Sequence, residues 1–163
     1  MKIGFAQINP TVGDLKGNCE LIIRTYERLA AGGAELVLTA ELAMTGYPPQ
    51  DLVLKSRFVP ENLELLEKLH AHVGNVPLLV GFVDRNEGRG KPFRNAAALL
   101  ERGKPIRKTY KSLLPTYDVF DEERYFQPAE RVEPFVVHGK KNRCNDLRGH
   151  LDRTLPAATA LRL

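Results

Sequence analysis

Tryptophan is absent from these 163 residues, and cysteine and methionine occur twice each. Two cysteines, Cys19 and Cys144, are too few for a disulfide framework, and their spacing fits no zinc pattern. No apolar run approaches the roughly 20 residues that a membrane-crossing helix needs. The opening residues, MKIGFAQINP, hold no signal-peptide hydrophobic segment. The expectation is a cytoplasmic protein with no membrane partner. A charge imbalance is also missing from most of the chain. Residues 1–139 carry as many acidic as basic side chains, so the net charge of +4 falls wholly in residues 140–163. That tail has no Phe, Tyr or Trp. Proteins that bind nucleic acid present a basic stripe on a folded face, commonly with aromatics for stacking, so nucleic acid is not an expected partner. His70 and His72 read as rim positions rather than metal ligands, and no metal is expected.

What is present is ordinary for a globular domain. Hydrophobic residues make up 43% and charged residues 27%. The length suits one domain, or a piece of a larger one. KIGFAQIN (2–9) reads as a strand with Ile3, Phe5 and Ile8 apolar. Asp14 can cap a helix whose stripe is Leu15, Cys19, Ile22, Tyr26 and Leu29, spaced as one helical face. Cys19 lies on that stripe and reads as a core residue. Gly32 and Gly33 end the helix. ELVLTAEL (35–42) reads as a second strand, followed by a Gly/Pro loop, AMTGYPPQDL. A second helix is expected from about Pro60, with Leu63, Leu66, Leu69 or His70, and Val73 on its apolar face. VPLLVGFVD (76–84) reads as a strand buried on both faces. RNAAALLERG (94–103) and KPIRKTYK (104–111) form two strands about a Gly turn, and EPFVVHG (133–139) is another. Ser112 to Gln127 reads as a loop. This order predicts an α/β fold with helices covering a mixed sheet.

Two residues sit where chemistry is commonly placed, at strand ends that run into loops. Glu41 ends an apolar strand and a Gly/Pro loop follows at once, where partial desolvation would raise a carboxylate towards the range of a general base. Lys111 ends KPIRKTY and could stabilise an oxyanion. Position alone does not separate these roles from an ordinary loop glutamate and a surface lysine.

Three long segments carry a resemblance. IGFAQINPTVGDLKGN, TAELAMTGYPPQDL and RKTYKSLLPTYDVFDEERYFQP are similar to the nitrilase, or carbon–nitrogen hydrolase, superfamily. Within it, GYPPQDL and LLPTYDVFDEERYF resemble the N-terminal glutaminase domain of the glutamine-dependent NAD synthetases. The resemblance runs over residues 1–141. It implies the first part of a nitrilase-type α-β-β-α sandwich, incomplete in this chain. It implies a Glu–Lys–Cys triad with Glu41 as general base and Lys111 as the lysine, Tyr117 in contact with glutamine, and Glu122 supporting the lysine. Glutamine is the implied small-molecule substrate. The family's synthetase domain, normally in the same chain and absent from this one, would use ATP and Mg. The intact family enzyme is implied to be a homo-oligomer.

The nucleophile is where the pattern breaks. The family motif resembles I-G-V-T-I-C-E-D-I-W, whereas this chain reads NRCNDLRGHL. Counted without gaps, the motif cysteine falls at Leu147, three residues after Cys144. A slip of three along a strand moves a group by about 10 Å and reverses its face. Codons compatible with residues 142–152, read one base later, restore I-G-(V/A)-T-I-C-E-D-I-W, with cysteine over Leu147. The expectation is that residues 142–163 are a non-family, out-of-frame tail and that the fragment is inactive. Two alternatives stay open: a small amidase using Cys144, and a non-catalytic remnant that binds glutamine.

Overall fold

The computed structural model describes residues 1–116, 120–131, 134–137, 140–142 and 160–161. Strand β1 (Ile3–Phe5), helix α1 (Leu15–Ala31), strand β2 (Leu36–Leu38), helix α2 (Phe58–His72) and strand β3 (Leu78–Arg85) follow one another. Then come β4 (Phe93–Leu100), β5 (Arg107–Tyr110), the short helix α3 (Glu122–Tyr125), β6 (Phe135–Val137), β7 (Lys140–Asn142) and β8 (Ala160–Leu161). The main sheet has the order β5-β4-β3-β2-β1-β8. β1, β2 and β3 are parallel neighbours, each joined to the next through a helix, as parallel pairing requires. β3, β4 and β5 are antiparallel. The result is the mixed α/β sheet that the pattern of elements predicts. β6 pairs with β7 in a separate two-stranded sheet.

The helices cover one face of the sheet. The Asp14 side chain accepts the Gly17 N–H at 3.0 Å and starts α1. The stripe of Leu15, Cys19, Ile22, Tyr26 and Leu29 is buried, as its spacing predicts. Side chains alternate along strands, and Val37, Leu78, Val80, Phe82, Ala96 and Ala98 point into this core. A fully buried Leu or Ile contributes about 1.5–3 kcal/mol here. Tyr26 fastens α1 to the segment between α2 and β3: its hydroxyl donates to Val76 O at 2.7 Å and accepts the Gly74 N–H at 2.9 Å.

α2 starts two residues before the predicted boundary, with Pro60 in its first turn, where a missing N–H is harmless. Of its expected face, Leu66, Leu69 and Val73 are buried and Leu63 is half-buried against the core, and Phe58, Val59, Asn62 and Leu65 widen that face. Asn62 is the polar member of the widened face. It is fully buried because its Nδ2 donates to Val83 O at 2.7 Å. The Gly/Pro loop is also more regular than its composition suggests, since Gln50–Leu54 form a turn of 3-10 helix. The predicted loop of residues 112–127 contains α3.

The other sheet face is smaller and carries no helix of the α1/α2 layer. Leu36, Leu79 and Leu99 project onto it and pack under Phe135 and Val137 of β6. Alternation along β4 puts Asn95 on this same face with Ala97 and Leu99.

Candidate active site

Why Glu41 stands where it does begins with a glycine. β2 stops at Leu38, four residues before the predicted strand end at Leu42. The chain then crosses above β3 at Gly81. A Cβ on Gly81 would lie 2.5 Å from Leu42 N and 2.7 Å from Ala40 O, closer than such atoms can approach. Leu42 turns the chain in the left-handed region at φ 48°. Gly81 also fastens the crossing segment: its N–H donates to Thr39 Oγ1 at 3.2 Å and its carbonyl accepts the Met44 N–H at 3.1 Å. This crossing carries Glu41 from the end of β2 towards β4 and β5.

Lys111 arrives from the other side. Its N–H donates to Asn95 O at 2.9 Å, extending the β4–β5 ladder one step beyond Tyr110. Glu122 comes from α3, whose start is held by the Glu122 N–H on Pro115 O at 3.1 Å. Three segments distant in sequence thus meet on the face opposite α1 and α2.

The Lys111 ammonium lies 2.6 Å from Glu41 Oε1 and 3.0 Å from Glu122 Oε1. The Lys111 side chain is 9% exposed, that of Glu122 4% and that of Glu41 19%. Tyr47 donates its hydroxyl to Glu122 Oε1 at 2.7 Å. The Asn95 amide Nδ2 donates to Glu41 Oε1 at 2.5 Å and lies 3.3 Å from Glu122 Oε2. Two carboxylates therefore share one buried cation. Burial pushes the Glu122 carboxyl above the usual carboxylate range, and the charge of Glu41 adds to the rise against the Tyr47 and Lys111 donors. Burial works to lower the Lys111 ammonium, but hydrogen bonding and charge from Glu41, then Glu122, hold it above the ordinary lysine value.

An open groove of about 60 Å³ adjoins this cluster, lined in part by Thr39, Glu41, Asn95, Thr109 and Lys111. Thr109 Oγ1 is buried there with no hydrogen-bond partner among the described residues. Tyr47 and Glu122 also border a second hollow, of about 200 Å³, with Asp51, Arg124 and Tyr125. A carboxylate beside a fixed ammonium can accept a proton, while the ammonium stabilises a developing oxyanion.

Of the residues singled out from sequence, the structure brings Glu41, Lys111 and Glu122 together. Glu123, the neighbour of Glu122, is exposed. Tyr117, Cys144 and Leu147 lie outside the described residues. Cys19 is buried on the helix side, its Sγ 3.8 Å from Leu65 O, and burial pushes its thiol up, away from the thiolate. His70 Nε2 is 3.0 Å from Glu101 O. Among the described residues no group of three or more His, Cys, Asp or Glu could hold a metal. No helix of the described residues is long and apolar enough to cross a membrane. Sequence reasoning missed Asn95, Tyr47 and Gly81. An asparagine alternating with Ala97 and Leu99 on one strand face was the available signal for the first.

Comparison with known proteins places this geometry. Residues 2–146 match the carbon-nitrogen hydrolase family. A glutamine-dependent NAD(+) synthetase from Synechocystis sp. is 42% identical over 153 residues, covering 89% of this chain and 27% of that protein. The enzyme of the same description from Thermotoga maritima is 39% identical over 134 residues, covering 81% of this chain and 23% of its own length. Among solved structures, the glutamine-dependent NAD+ synthetase of Acinetobacter baumannii in complex with ADP matches with a TM-score of 0.72 and 30% identity, over 83% of this chain and 25% of that one. The chain spans about a quarter of the length of these relatives.

Proposed function

The chain belongs to the carbon–nitrogen hydrolase family, and from that premise we propose that residues 1–141 are part of a glutamine amidohydrolase domain of the NAD synthetase kind. The observation that carries the reading is the Lys111 ammonium held 2.6 Å from Glu41 and 3.0 Å from Glu122 on the sheet face opposite α1 and α2. The similarity to glutamine-dependent NAD(+) synthetases supports glutamine as the amide.

In this reading Glu41 takes the proton of a cysteine thiol, because the thiolate is the nucleophile. The thiolate attacks the side-chain carboxamide carbon of glutamine and forms a tetrahedral intermediate. Lys111 faces the oxygen that becomes negative. Protonated Glu41 returns its proton to the departing nitrogen, which leaves as ammonia. Water then cleaves the thioester, giving glutamate and the free thiol. Glu122 and Tyr47 keep the Lys111 ammonium charged and in place. Tyr117 is assigned to the glutamine itself. The ammonia would serve a synthetase domain that amidates deamido-NAD, and ATP and Mg belong to that domain rather than to the residues described here. The intact enzyme is read as a homo-oligomer.

The thiol is assigned to the position of Leu147, recovered when residues 142–152 are read one base later. Residues 142–163 are then an out-of-frame tail, and the chain as written is inactive. Nucleotide sequence through these codons tests this directly: codons that cannot yield the shifted motif exclude it. Glutamine hydrolysis is then measured for the chain as written, for Cys144→Ser and for the frame-restored protein. The proposal expects ammonia release only from the last, and its loss in Glu41→Gln. Release from the chain as written that Cys144→Ser abolishes would instead establish Cys144 as the nucleophile.

A further inference from the structure

Asn95 touches every charged member of the cluster. Its Nδ2 donates to Glu41 Oε1 at 2.5 Å and approaches Glu122 Oε2 at 3.3 Å. Its carbonyl accepts the Lys111 N–H at 2.9 Å. The side chain is buried, with the residue 4% exposed. A primary amide nitrogen has two hydrogens, one for each carboxylate. Ionised carboxylates only accept, so the amide must present its nitrogen and not its oxygen to them.

The need for such a group follows from the charges. Glu41, from the loop after β2, and Glu122, from α3, face the one Lys111 ammonium at the end of β5, with the neutral Tyr47 hydroxyl beside them. Two carboxylates this close repel each other and compete for the cation. A neutral donor between them satisfies both without altering the charge. It also distinguishes the oxygens of Glu41. Oε1 takes the bonds from Lys111 and Asn95, while Oε2 has no hydrogen bond among the described residues.

We propose that Asn95 is a positioning residue of the amide-hydrolysing site: it anchors Glu41 Oε1 against Lys111, separates Glu41 from Glu122, and leaves Glu41 Oε2 to take the proton. What this positioning serves rests on the amidohydrolase reading; the positioning itself does not.

The test therefore uses a signal that needs no turnover. Glutamate side chains are labelled with ¹³C in the chain and in Asn95→Leu, which keeps the branched shape and removes the donor. The carboxyl carbon of Glu122 is followed through acid titration, with the exposed Glu64 as reference. The expected result is that Glu122 titrates about one pH unit higher in Asn95→Leu, because its ionised form has lost a donor. Asn95→Asp moves it further the same way, since a third carboxylate joins the site. Asn95→Ala replaces the leucine variant if that fails to fold. A Glu122 titration identical to the parent in folded variants overturns the proposal. Glutamine hydrolysis is measured separately. An inactive frame-restored protein overturns the functional reading and leaves the Asn95 result standing. In an active one, Asn95→Leu lowers kcat about 100-fold with KM changed less than about threefold, the pattern of a group acting through the proton acceptor. A change in KM with kcat intact overturns the positioning role.

Discussion

The strands that carry Lys111 carry a second lysine–carboxylate cluster on their opposite face. Asp84 of β3 is 6% exposed at its side chain, and Lys108 Nζ lies 3.0 Å from it. Tyr110 donates its hydroxyl to Asp84 Oδ2 at 3.0 Å. Arg94 lies over the Tyr110 ring, 4.9 Å from its centre. Arg94 and Asn95 are successive residues of β4 that point to opposite faces, so one strand supplies both clusters. The chemistry differs in its balance. Around Asp84 one carboxylate meets one half-exposed lysine, a phenol and the Arg85 N–H, and its needs are met. Around Lys111 two carboxylates share one buried ammonium beside a groove. A buried ion pair is thus no mark of function by itself. Surplus charge of one sign, held against a groove by a loop that must cross Gly81, is the distinguishing feature.

The largest test of this contrast removes each cation in turn. Lys111→Met leaves the buried Glu122 and the half-buried Glu41 without their cation. It is expected to cost about 3–5 kcal/mol in urea unfolding, the range for breaking a buried pair. In the frame-restored protein it should also lower glutamine hydrolysis by about a thousandfold or more, since the oxyanion loses its charge partner. Lys108→Met should cost about 1 kcal/mol or less, because its side chain is 35% exposed and solvent already screens the pair. Equal losses from the two variants would dissolve the distinction.

Next in size is the backbone crossing. Gly81→Ala forces a methyl group into Leu42 N and Ala40 O, backbone atoms that cannot swing away. About 3 kcal/mol of destabilisation is expected, at the upper end for overpacking. Part of the strain should move the Glu41 segment away from Lys111, so kcat in the frame-restored protein falls more than stability alone explains. Gly103→Ala is the contrasting variant. No atom lies within 4 Å of its Cβ position, and only its φ of +70° resists the change, at a cost of about 1 kcal/mol.

Part of this arrangement was legible in the sequence, for physical reasons. The α1 stripe shows because a 3.6-residue period writes itself directly into apolar spacing, and β3 shows because both its faces are covered. Glu41, Lys111 and Glu122 stood out through motifs, not through position, since a strand end alone suits many glutamates and lysines. The end of β2 was misplaced because Thr39–Leu42 remain apolar enough for a strand while crossing Gly81 is a tertiary event. The face of α2 is wider than its leucine spacing shows, because Asn62 pattern-matches to solvent, yet its amide finds Val83 O. Asn95 escaped notice for the same reason. Its partners lie 54 and 27 residues away, beyond any local period.

The smallest effect lies at Tyr110, and it separates the two clusters by pH. Burial, then the charge of Asp84 and the hydrogen bond to it, push this phenol up to about 12. An unfolded tyrosine ionises near 10. The folded state therefore favours the neutral phenol. Its contribution to stability is fully present below about pH 10 and is lost as pH rises through about 12. Burial also pushes the Tyr26 phenol up, and the hydrogen bond to Asp51 raises Tyr125, so in an absorbance titration of tyrosinate Tyr110→Phe should remove one late-ionising phenol, near pH 12, and leave the other raised phenols in place. The same variant should leave the acid titration of Glu122 unchanged, because its side chain belongs to the Asp84 face. A shift of Glu122 in Tyr110→Phe would mean that the two clusters communicate through the sheet and titrate as one unit.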